Sequence, residues 1–122
     1  VLDAVDQHTV RGREVAYFFR QLPTKHELPE YYAFIKKPMD LATLRARVVA
    51  GTYDETRRRN AFLTDFMLVF NNAHKFNQPE SDIYQDATTL RDVFARRARA
   101  LWPRSKQRIA KLLDATTTTT IR

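Results

Sequence analysis

Apolar residues recur along this chain at spacings of three and four rather than two, the pattern of helices that each bury one stripe. A first stripe joins Leu2 and Val5, then Val15, Phe18, Phe19 and Leu22, and predicts a helix from Leu2 to about Phe19 that Gly12 kinks or interrupts. A second helix begins near Asp40, an N-cap residue two positions after Pro38, carries Leu41, Leu44 and Val48, and stops at Gly51. A third starts near Thr56 and lines up Phe62, Phe66, Val69, Phe70, Ala73 and Phe76 on one face, with Asn77 at its C-terminal end. A fourth runs from Ser81 or Asp82 to Trp102, turning Ile83, Ala87, Leu90, Val93 or Phe94, Ala98 and Leu101 inward. Ile109, Leu112 and Leu113 extend it beyond Pro103 to about residue 113. The run from Thr116 to Thr120 reads as a frayed end, within a flexible tail over 114–122.

These elements predict an all-α, antiparallel four-helix bundle with a long first inter-helix loop: one domain over 1–113, its core within 1–102. The first connection holds Pro23, Leu28, Pro29, Tyr31 and Tyr32, too apolar for a solvated loop, so it is expected to fold onto the bundle. An up-down bundle puts this loop and the turn after Asn77 at the same end, where Leu28, Tyr31, Phe34, Asn77 and Ile83 enclose a pocket.

Composition narrows the chemistry. With 122 residues, 43% hydrophobic and eight of them Phe, the chain can build a core unaided. It has no cysteine, hence no disulfide framework and no thiolate chemistry, and its apolar runs are too short for a membrane span. A soluble, intracellular domain with no membrane partner is expected. His8, His26 and His74 lack ligand partners at metal-binding spacings and read as surface or packing residues. With no phosphate-binding glycine loop, no acid pair and only Ser81 and Ser105 as serine nucleophiles, no catalytic residue, metal or cofactor is assigned.

The formal charge of +7 is concentrated between Arg91 and Lys111, where Arg91, Arg96, Arg97, Arg99, Arg104, Lys106, Arg108 and Lys111 face only Asp92. Glu80, Asp82 and Asp86 form an acidic stretch free of Lys and Arg, and Glu27 and Glu30 flank the first loop. Two faces of opposite sign follow. Arg57, Arg58, Arg59, Arg96, Arg97 and Arg99 are candidate contacts for DNA phosphate, although such runs are more often solvated faces.

Leu22-Pro23-Thr24, Glu27-Leu28-Pro29-Glu30-Tyr31-Tyr32, Ile35-Lys36-Lys37-Pro38-Met39-Asp40-Leu41 and Phe76-Asn77-Gln78-Pro79 with Ile83 together resemble the bromodomain family, in order and spacing, over roughly Val1 to Trp102. The look is that of polybromo and chromatin-remodelling ATPase bromodomains. The resemblance implies a left-handed four-helix bundle whose two loops at one end enclose an acetyl-lysine pocket. By position it implies Asn77 as donor to the acetyl carbonyl, Tyr31 as holder of a bridging water, and Ile83 as gatekeeper. Leu28, Phe34 and Ala73 would complete the apolar wall. Leu22, Pro23 and Thr24 stand where many members have a Trp-Pro-Phe shelf, with Leu22 and Pro23 assigned to the pocket, and Phe76 replaces a Tyr common before the Asn. The implied function is a nuclear reader of acetylated histone tails or other acetylated proteins, as a monomeric domain of a larger protein. Two alternatives stay open at this level: a sequence-independent DNA- or nucleosome-binding helical module, and a bundle that has lost acetyl-lysine binding.

Overall fold

A computed structural model of the chain describes residues 1–53 and 58–120, with side chains to residue 114. In chain order it has α1 (Leu2–Asp6), a hairpin of β1 (Thr9–Val10) and β2 (Arg13–Glu14), α2 (Tyr17–Arg20), α3 (Pro29–Phe34), α4 (Leu41–Val49), α5 (Arg59–Phe76), α6 (Asp82–Leu101), a 3-10 turn (Pro103–Ser105) and α7 (Lys106–Thr120). The split first segment α1–α2 packs with α4, α5 and α6 as a four-helix bundle, and α7 adds a further layer on α5 and α6.

The first helix departs from expectation. It does not run to Phe19 but gives way to an antiparallel hairpin pairing Thr9 with Glu14 and Val10 with Arg13. Arg11 and Gly12, between the strands, have φ of 53° and 79°. Positive φ at both central residues is what a two-residue turn needs to match strand twist. Gly12 therefore reverses the chain instead of kinking a helix. Arg13 then donates to both carboxylate oxygens of Asp86 on α6, each at 2.9 Å. Arg20 reaches Asp6 at 2.9 Å and Glu14 at 2.6 Å, tying α1, hairpin and α2 together. Val5, Val15, Ala16 and Phe19 still reach the core, but Phe18, expected with them, is 60% exposed.

Helix α4 follows its local signals. Asp40 caps it by accepting from the Thr43 N–H at 2.8 Å. Gly51, at φ 80°, ends it in a Schellman arrangement, with Thr52 N–H on the Arg47 carbonyl and Gly51 N–H on that of Val48. The expected start of α5 near Thr56 lies outside the described residues; from Arg59 on, Phe62, Phe66, Val69, Phe70 and Ala73 are buried as the stripe predicts. Phe66 stacks between Phe70 and Phe94, with centroids at 5.8 and 4.6 Å. Ser81 caps α6 through the Tyr84 N–H. Leu101, expected to face inward, is 59% exposed because the chain turns at Trp102–Pro103. Helix α7 buries Ile109 completely and continues past the expected limit near residue 113 to Thr120.

Candidate functional site

The loop between α2 and α4 is fastened onto the bundle at several points. Buried Asn72 on α5 donates to the Lys37 carbonyl at 2.8 Å. Asp40, besides capping α4, accepts from the Leu22 N–H at 3.0 Å, so one buried carboxylate sets both the helix start and the shelf. Tyr32 turns away from the pocket and donates to the Pro23 carbonyl at 2.6 Å. Thr24 and Glu27 form a capping box, the Thr24 N–H on the Glu27 carboxylate and the Glu27 N–H on the Thr24 hydroxyl. These bonds to Thr24 hold the Glu27 carboxyl below its ordinary pKa.

Between this loop and the α5–α6 turn lies a cavity of about 200 Å³, lined by Leu22, Pro23, Leu28, Tyr31, Ala73, Phe76, Asn77 and Ile83 together with Phe18, Phe19, Met39 and Val69. Eight of the nine sequence-assigned pocket residues are thus brought together. Phe34 is not: it is 56% exposed and meets the outer side of Phe76, centroids 6.3 Å apart, while Tyr31 takes the inner side at 4.8 Å. Among the described residues no lining side chain is charged.

Tyr31 is buried, and desolvation pushes its phenol up to about 12, so it stays protonated and able to donate. Asn77, just past the end of α5, donates from both backbone N and side-chain Nδ2 to the Ala73 carbonyl, at 3.1 and 3.0 Å. The amide is thereby held in one orientation with one N–H used; a primary amide has a second N–H and an acceptor oxygen to offer. One side-chain N–H of Asn77 is thus engaged within the chain and the other is left to offer.

Four lining residues were not assigned from sequence. Val69 is four residues before Ala73 and eight before Asn77, on the same face of α5, so helical spacing marks it. Phe19 was assigned to core, and Phe18 reaches the mouth only because the hairpin reorients α2. Met39 carried no signal beyond its place beside the Asp40 cap.

A family model, Bromodomain, matches residues 2–89. The chain belongs to the bromodomain family. Bromodomains are non-catalytic binding modules that read acetyl-lysine in chromatin. This bromodomain is 43% identical to the chromatin structure-remodeling complex subunit RSC4 of Saccharomyces cerevisiae over 62% of the chain and 12% of that protein. It is 32% identical to the ATP-dependent helicase brm of Drosophila melanogaster over 94% of the chain and 6% of that protein. It is 36% identical to histone acetyltransferase GCN5 of Yarrowia lipolytica over 71% of the chain and 19% of that protein. The chain thus spans less than a fifth of the length of these relatives.

Beside the pocket, on the face of α5 turned to α6, His74 is buried and stacks on Tyr84 at 4.0 Å. Thr88 donates its hydroxyl to the Tyr84 carbonyl, so it accepts from His74 Nε2 at 2.8 Å. Nδ1 is then a bare acceptor, buried without a partner among the described residues. Burial, then the Arg91 charge, lowers the His74 pKa from 6.5 to about 4. The unfolded chain binds the proton more readily, so the stability that neutral His74 contributes is present above pH 6.5 and lost as pH falls toward 4. We expect about 2 kcal/mol less stability from this residue at pH 5 than at pH 7.5 by urea unfolding. His74→Phe should remove that part of the slope; an unchanged slope would refute the assignment.

The described arginines assigned to DNA are scattered. Arg58 and Arg59 stand at the start of α5, Arg96, Arg97 and Arg99 lie along α6 with Arg97 beside α1, and Arg57 lies outside the described residues.

Proposed function

We propose that this bromodomain is a nuclear acetyl-lysine reader, binding acetylated histone tails or other acetylated proteins through the cavity around Asn77. The observation that carries this reading is an uncharged, apolar-walled cavity whose polar groups include one oriented amide and one buried phenol. Acetylation replaces an ammonium with three donors by a neutral amide whose carbonyl accepts. The second Asn77 N–H serves that carbonyl, and the Tyr31 hydroxyl serves it through a water. Ile83, on the first turn of α6, lines the cavity together with Leu22 and Pro23 and is read as its gatekeeper.

Selectivity comes mainly from rejecting charge. Unmodified lysine would bury an ammonium with no carboxylate among the described lining residues to meet it, at a desolvation cost of several kcal/mol. Affinity is modest. Burying four methylenes at roughly 0.8 kcal/mol each, plus about 1 kcal/mol for the hydrogen bond, leaves little after the costs of association. A Kd between about 1 μM and 1 mM is expected. Exposed Glu30, Glu80 and Asp82 add attraction for a basic peptide, screened over about 8–10 Å at working salt. Calorimetric titration of paired histone peptides tests the reading: the acetylated form binds and the unmodified form does not, whereas equal binding of both would refute it. The fit to chromatin agrees with relatives that are a chromatin structure-remodeling complex subunit and a histone acetyltransferase.

A further inference from the structure

At the opposite end of α5 from Asn77, about 25 Å away by helical rise, lies a second concavity of some 400 Å³. Its walls carry Arg59 from the first turn of α5, Arg104 from the 3-10 turn, and Arg108 and Lys111 from α7. Two of these guanidinium groups are positioned rather than free to wander. Arg59 lies over the Trp102 ring at 5.1 Å from its centroid. Arg108 donates to the Thr64 hydroxyl at 3.1 Å. Like charges converging on one cleft cost stability, and an anionic ligand relieves that cost.

We infer that this cleft binds the phosphate backbone of nucleic acid. Arg104, Arg108 and Lys111 follow at intervals of four and three, one face of the helical turn, so their row runs about 10 Å. One strand of duplex DNA presents a phosphate every 3.4 Å or so of axis, which makes the row long enough for successive phosphates and too long for a single one. Arg59 adds a fourth cation at the N-terminal end of α5, where the helix dipole also favours negative charge. Recognition here is of charge and spacing, so it is independent of base sequence. The cleft and the acetyl-lysine pocket lie at opposite ends of the bundle, and both are open to occupants at once.

The test is anisotropy titration of the whole chain with a labelled 20-base-pair duplex across a salt series, with sodium tripolyphosphate titrated in parallel. Arg104→Gln/Lys111→Gln changes two exposed side chains, and circular dichroism checks its fold. The expected result is an affinity loss on the order of tenfold at low salt, and a log–log salt slope shallower by about two. Arg96→Gln/Arg97→Gln, the same charge change on α6, should cost much less. Unchanged binding in the cleft variant, or equal losses in both variants, overturns the assignment. So does wild-type protein that takes up tripolyphosphate but not the duplex, or neither.

Discussion

Asn77→Ala is expected to lose acetyl-lysine peptide binding while the bundle stays folded. In the proposed binding mode the substitution removes the direct donor and leaves the acetyl carbonyl buried without it, a cost of about 1–3 kcal/mol, or roughly 5- to 150-fold in Kd. From an already weak interaction, that places binding below calorimetric detection. The fold loses one side-chain bond to the Ala73 carbonyl, which keeps its backbone partner, so the change in unfolding free energy should stay near 1 kcal/mol. Asn77→Asp separates recognition from packing. It keeps the shape but replaces the donor by an acceptor and brings a negative charge into the uncharged lining, and it should be as inactive as the alanine variant. Wild-type affinity in either variant would remove Asn77 from the recognition site.

Phe66→Ala should have the largest effect on stability. Phe66 is fully buried, and its ring contacts those of Phe62, Phe70 and Phe94, linking α5 to α6 at the bundle's centre. Truncating such a ring forfeits its transfer free energy and leaves a cavity that three neighbouring rings cannot close, about 3–5 kcal/mol. For a domain whose whole stability is roughly 5–15 kcal/mol, that is a large fraction. Urea unfolding should show a lower midpoint with an unchanged slope, and Phe66→Leu should recover much of the difference. A midpoint within experimental scatter of wild type would mean the aromatic cluster is not the centre of the core.

What was legible in the chain was whatever its physics keeps local. Asp40 as a cap, Gly51 as a stop, Ser81 before α6 and the Phe stripe of α5 each act within one or two helical turns, and each is found where the pattern put it. Asn77, Tyr31 and Ile83 were legible for a different reason: several separated motifs fixed their register at once. The hairpin was not legible. Its strands are two residues long, too short for alternation to register, and the contact that holds it joins Arg13 to Asp86, 73 residues apart in the chain. Phe34 went astray because two aromatic rings three residues apart on α3 compete for Phe76, and burial of Tyr31 leaves the outer side to Phe34. The basic cleft needed α7 folded back on α5 before Arg59 and Arg108 could be neighbours.

The bonds that pin the first loop, from Asn72 to Lys37, Leu22 to Asp40 and Tyr32 to Pro23, bear on time as well as shape. A wall already in place has no opening step to wait for, so peptide capture proceeds at the ordinary protein association rate of about 10⁵–10⁷ M⁻¹s⁻¹. With a Kd near 10⁻⁴ M, release then occurs at roughly 10–1,000 s⁻¹, and each visit lasts milliseconds to about a tenth of a second. On the proposed reading, such a module samples an acetylated tail repeatedly and holds it only briefly each time.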